Sequence, residues 1–163
     1  TSDFTSSIDS TYKLYIFKMY DVNPATDNVH FGFQANVVDA SGYNETITSS
    51  AFEAYHQEDD GGTPAVAYQP ARDQRQGTAF QDIAPFLGNG ADENAGGKLH
   101  LFNPSSTTFT THFYSRFVCN NECDIAQDDV VSGMFNVDGA IDEIQFKMSS
   151  GNFDGKIKMW GVK

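Results

Sequence analysis

Residues 107–119 read Thr107-Thr108-Phe109-Thr110-Thr111-His112-Phe113-Tyr114-Ser115-Arg116-Phe117-Val118-Cys119, and their alternation decides the fold. Successive side chains of a strand point to opposite faces. Phe109, Thr111, Phe113, Ser115 and Phe117 therefore share one side of an extended chain. Thr110, His112, Tyr114, Arg116 and Val118 share the other, a solvated or half-covered surface.

The same period of two extends outward in both directions. Residues 130–137 and 141–148 read as strands joined at Asp138-Gly139, a hairpin signal. Ser149-Ser150-Gly151-Asn152 makes a turn before a last strand at 155–162. Upstream, residues 98–102 form a short strand ended by Asn103-Pro104-Ser105-Ser106. In 29–38, Val29, Phe31, Phe33, Ala35 and Val37 fall on one face. Residues 12–19 (YKLYIFKM) are apolar on both faces apart from two lysines, and Pro24 bars this strand from running into the next. Asp39-Ala40-Ser41-Gly42 reads as a hairpin turn into a strand over 43–55. Loops are expected at 57–64 and 88–97. One short helix is expected at 78–87 (TAFQDIAPFL), capped by Thr78, with Phe80, Ile83, Ala84 and Leu87 at helical spacing and Pro85 limiting its length.

Long runs of strands without alternating helices exclude a doubly wound parallel sheet. The economical architecture is all-β: an antiparallel two-sheet β-sandwich of jelly-roll type with one short helix. It forms a single domain over 1–163, with 1–10 as an extended N-terminal segment. A chain of 163 residues buries roughly 70% of its unfolded surface and sustains one core. Its 14 Phe and 7 Tyr supply that core with large rings suited to strands.

Ten basic residues against 22 acidic ones leave a net charge of -12, a surface that repels phosphate backbones. No nucleic-acid partner is therefore expected. No apolar run approaches the ~20 residues of a membrane-spanning helix. The start, Thr1-Ser2-Asp3-Phe4, lacks the features of a signal peptide and an initiator Met. The chain is thus expected to be processed or to be part of a longer one.

Candidate chemistry is sparse, and no catalytic residues are assigned. Asp142 and Glu143 are adjacent in a strand, so they point to opposite faces and cannot act as a glycosidase pair. His30, His56, His100 and His112 occur singly, outside any metal-binding pattern. No cofactor is expected, although a structural Ca²⁺ would suit the oxygen-rich stretches 58–60, 92–93 and 122–129, whose spacing matches no EF-hand. Cys119 and Cys123 are too few for a zinc site. They either form a small disulfide at a hairpin tip or remain free thiols. Trp160, Tyr114, His112 and Tyr55 are the candidate residues for an interface or a glycan contact.

Four stretches in one order carry a resemblance. Residues 141–161 (IDEIQFKMSSGNFDGKIKMWG) resemble the C-terminal ending of structural proteins of marine tailed phages, of the cyanophage and pelagiphage kind. Residues 52–59 (FEAYHQED), 77–81 (GTAFQ) and 99–108 (LHLFNPSSTT) are similar to the same family. The resemblance implies a non-enzymatic virion component exposed on the particle: a head decoration, appendage or tail-fibre subunit. It implies contacts with other virion proteins, homo-oligomerisation and attachment to host surface glycan. A carbohydrate-binding module is the alternative reading. The cysteine pair has no counterpart in that family.

Overall fold

The computed structural model describes residues 1–59 and 61–163. Asp60, which falls in the acidic loop expected at 57–64, lies outside the described residues. The described residues form twelve strands and no helix: β1 (Ser2–Phe4), β2 (Leu14–Pro24), β3 (Val29–Val37), β4 (Ile47–Gln57), β5 (Ala65–Tyr68), β6 (Arg75–Gly77), β7 (Gln81–Leu87), β8 (Ala95–Phe102), β9 (Thr111–Asn120), β10 (Ile125–Phe135), β11 (Ile141–Met148) and β12 (Phe153–Val162). Among the described residues, no helix is long and apolar enough to cross a membrane.

All pairings are antiparallel. The smaller sheet runs β1-β11-β3-β7 and the larger β12-β2-β8-β9-β10-β4-β5, with β6 paired to β4. The fold is an all-β, two-sheet sandwich, and β8, β9 and β10 form a plain meander at the middle of the larger sheet. In β9 the alternation holds from Thr111 onward, with Phe113, Ser115, Phe117 and Cys119 buried; Phe109 precedes the strand and is exposed. Phenylalanines fill the space between the sheets. Phe146 of the smaller sheet stacks on Phe31 at 6.0 Å and meets Phe17 of the larger sheet at 5.4 Å. Phe33 meets Phe113 edge-on at 5.0 Å.

Three expectations need correction. The helix expected at 78–87 is instead β7, paired to β3. A bulge explains the misleading spacing: Phe31 faces Ala84 and Val29 faces Leu87, so three steps on β7 match two on β3. A second shift, where Ala84 to Asp82 matches the single step Phe31 to Gly32, adds another residue, and together they turn a period of two into an apparent i, i+3 pattern. Pro85, which has no N–H to donate, and Phe86 at φ 55° occupy the irregular segment.

The two hairpins expected at 39–42 and 138–139 are also absent. β3 and β11 belong to the smaller sheet, whereas β4 and β10 belong to the larger one. Both turns therefore carry the chain between layers. Asp39 adopts φ 65° and the Ala40 N–H donates to the Val37 carbonyl, so the turn chemistry is as read. The strand after each turn joins the layer whose inner face its apolar side chains must cover. At the far edge, a bulge in β12 opposite β2 brings Gly155 (φ 137°) within 2.9 Å, measured from a would-be Cβ, of the Asp21 carbonyl oxygen. That close approach leaves no room for a side chain.

Candidate functional site

The outer face of the larger sheet, the one turned away from the core, carries the feature that stands out. Register places Lys158 of β12 opposite Lys18 of β2, Lys18 opposite Lys98 of β8, and Lys98 opposite Arg116 of β9. Four cations, all exposed, thus stand side by side across four strands. At ~4.8 Å per strand the row is about 14 Å long. The whole chain has only ten basic residues, so the alignment runs against its acidic composition.

Like charges directly opposed across strands are destabilising. Relief is partial. Arg116 holds the Asp128 carboxylate in a fork, through Nε at 2.9 Å and Nη2 at 2.6 Å. Lys18 Nζ sits 4.8 Å from the centre of the Trp160 ring, a cation–π contact. The His100 imidazole, next to the row, has its pKa lowered by burial first and then by Lys98 and Lys18. Lys98→Thr should accordingly raise stability by about 0.2–1 kcal/mol in urea unfolding. A loss of stability would show that no repulsion is stored there.

Beside the cations runs an aromatic row. Trp160 faces Ile16, Ile16 faces His100 and His100 faces Tyr114. His100 and Tyr114 stack at 4.4 Å, and Phe102 stacks on Tyr114 at 6.0 Å. His112, exposed, lies opposite Phe102 in the next row. The larger sheet thus gathers Trp160, Tyr114 and His112 on one face. Lys18, Lys98, Lys158 and His100 were not singled out from sequence; their alternation marks them as outward-facing, but only register shows them aligned.

Tyr55 belongs elsewhere. It follows Glu53 on the inward side of β4 and lines an open cleft of about 330 Å³ with Glu53, Gln69, Phe86, Asn121 and Gln127. Deeper in, the 69–74 loop delivers Arg72 beneath the sheet. Its guanidinium donates to Asp129 Oδ1 at 2.6 Å and to Glu53 Oε2 at 3.1 Å. Gln127 Nε2 donates to both carboxylates, at 2.9 Å to Asp129 and 3.0 Å to Glu53. Gln69 Nε2 donates to Glu53 Oε1 at 2.6 Å. Burial pushes the Asp129 carboxyl up to about 6, against the pull of Arg72. Arg72 was missed in the sequence because it stands in an irregular loop. Glu53 and Asp129 at inward-facing strand positions were the available signal, since buried carboxylates need a partner.

The two cysteines are free. Cys119 points into the core from β9, where burial pushes its thiol up to about 12, while Cys123 is exposed in the β9–β10 turn. One equivalent of maleimide should label the folded protein, at Cys123, with the second taken up only on unfolding. Two equivalents reacting at equal rates, or none, would contradict this placement. Of the acidic stretches, 58–59 and 122–124 come together, the Glu58 N–H donating to the Asp124 carbonyl at 3.0 Å. Among the described residues, no three His, Cys, Asp or Glu side chains form a group able to hold a metal. The histidines stay apart; His30 Nδ1 pairs with Asp82 at 2.8 Å, and His56 Nδ1 lies 2.8 Å from the Gln57 carbonyl oxygen.

Compared with protein-family models, curated proteins and solved structures, the chain matches none of them.

Proposed function

We propose that this chain is a structural subunit on the outside of a tailed-phage particle, working by contact rather than by turnover. The observation that carries this reading is the row of four cations beside stacked aromatics on the larger sheet's outer face. A face that opposes like charges at a cost in stability is explained when a partner supplies the missing counter-charges. The phage assignment draws on the four sequence stretches resembling marine tailed-phage structural proteins. Rigid strands rather than mobile loops hold the contact residues, which suits a building block. The test is mass spectrometry and cryo-microscopy of purified particles from the phage encoding the chain. Density for the sandwich at the particle surface, with this sheet face against a neighbour, is the expected result. Recovery only from the soluble fraction of infected cells would overturn the proposal.

A second reading, a carbohydrate-binding module, is favoured by the Tyr55 cleft. Aromatic Tyr55 and Phe86 there flank the polar side chains of Gln69, Asn121 and Gln127, the mixture that a sugar's apolar face and hydroxyls require. A glycan array probes this directly. Hits that vanish in Tyr55→Ala support it, and a blank array for the wild type removes it.

A further inference from the structure

We infer that the cation row is the docking surface for a second copy of this chain, received through the acidic β1–β11 side of the smaller sheet. This rests on the contact-module reading and names the partner.

Charge complementarity identifies the occupant. The row takes four of the ten basic residues, leaving six against 22 carboxylates over the rest of the molecule. Another copy therefore presents the counter-charge. An acidic patch lies on the opposite side of the sandwich, carried partly by sheet strands, as the cation row is. Asp3 of β1 points outward, because neighbouring Phe4 turns inward onto Phe17 at 5.2 Å. Glu143 of β11 is outward by the same alternation, next to buried Ile144, and accepts a hydrogen bond from Asn36 Nδ2 at 2.8 Å. Against the expectation that neighbouring Asp142 and Glu143 take opposite faces, a bulge between Ile141 and Glu143 leaves both unburied side by side, and the exposed Asp39 adjoins them. Their closeness registers on their neighbours. The Tyr43 phenol is pushed up to about 12, first by burial, then by its hydrogen bond to Glu143 and the charges of Glu143, Asp3 and Asp142. The Asp142 carboxyl is raised by burial, then by Glu143 and Asp39.

The contact is small. The cation row is about 14 Å long, and on the other side Asp3 and Glu143 span the two strands β1 and β11; on β3 the outward Gln34 and Asn36 are already buried against the 43–45 and 78–79 segments. An interface of this size falls below the ~800 Å² each partner buries in a standard one, so the contact is reversible. The net charge of -12 does not forbid this. At physiological salt charges beyond ~8 Å are screened, while contacting pairs are not. Because the two surfaces differ and face away from each other, the contact is heterologous and repeats from copy to copy into a ring or stack.

Analytical ultracentrifugation of the intact chain tests this. The wild-type mass should rise with concentration at 0.15 M salt and fall back to monomer in ~1 M salt, where screening reaches ~3 Å. Lys18→Glu/Lys98→Glu should weaken association on the order of 100-fold, and so should Asp3→Lys/Asp39→Lys. Mixing the neutralised pairs Lys18→Gln/Lys98→Gln and Asp3→Asn/Asp39→Asn should yield a dimer and nothing larger, because each retains one intact surface and its neutral surface attracts neither partner. Circular dichroism checks folding; where a reversal fails to fold, the neutral pairs Lys18→Gln/Lys98→Gln and Asp3→Asn/Asp39→Asn replace it. A wild type monomeric at every concentration overturns the inference, as does a two-fold dimer untouched by the acidic reversal. A monomer that instead binds dextran sulfate or single-stranded oligonucleotide through Lys18 and Lys98 also overturns it, yet leaves the contact-module reading standing. Absence of the chain from purified particles strikes that reading alone.

Discussion

Arg72→Ala should lower the unfolding free energy by about 3–5 kcal/mol, because it strands two buried carboxylates without their cation. Asp129 is fully buried and Glu53 nearly so. Arg72 is the cation that bonds both of them. The network has little slack: Arg72 Nε and Asp129 Oδ2 are already buried without a hydrogen-bond partner among the described residues. Domains of this kind are stable by only about 5–15 kcal/mol, so the variant sits near the edge of folding. Urea unfolding measures the effect, and a change below about 1 kcal/mol would show that the pair is solvated. The pH dependence gives a second check. The folded Asp129 carboxyl lies at about 6, above its ordinary value of 3.8, so the folded chain holds this proton more tightly than the unfolded one. Its contribution to stability is complete below the unfolded value and disappears as pH rises through 6. Between pH 7 and pH 5 the wild type should therefore gain about 1 kcal/mol relative to Asp129→Asn. A parallel pH response in the two proteins would remove Asp129 as the titrating group.

The other large effect is expected at Phe146, the ring on which the two layers meet. Phe146→Ala should cost about 3–5 kcal/mol, the sum of lost transfer free energy and of the cavity left behind. Its ring touches Phe4, Phe17, Phe31 and Phe33, drawn from both sheets. Collapse of neighbours into the gap would have to move strands in both layers at once, so little relaxation is available. Phe146→Leu keeps most of the volume and should cost clearly less. Equal losses for the two variants would mean that specific ring packing, not volume, controls the site.

Much of this architecture can be read along the chain, and the places where it cannot are informative. Inward and outward positions of β9 follow from alternation alone between Thr111 and Cys119. Two extra residues in β7 were enough to make a strand look helical. The Asp138-Gly139 turn is real as local chemistry, yet it joins layers rather than neighbours. Of the contact candidates, Tyr114 was legible as an aromatic at an outward strand position, whereas Trp160 was legible as an aromatic of the last strand and the structure turns it outward. The alignment of the cations beside them carried no signal, because each lysine taken alone is an ordinary solvated side chain.

Local periodicity reports which way a side chain points, since the extended backbone repeats every two residues whatever lies around it. The primary structure was thus sufficient for most of the strands, their faces, an aromatic core and an acidic exterior. Partner choice between strands depends on residues far apart in the chain, such as Lys18 with Lys98 and Lys158, or Arg72 with Asp129. Burial of the Phe-bearing faces selects one register out of several that the pattern allows. That selection, made only in three dimensions, lines up the four cations, drives Arg72 beneath the sheet and separates Tyr55 from the other aromatic candidates.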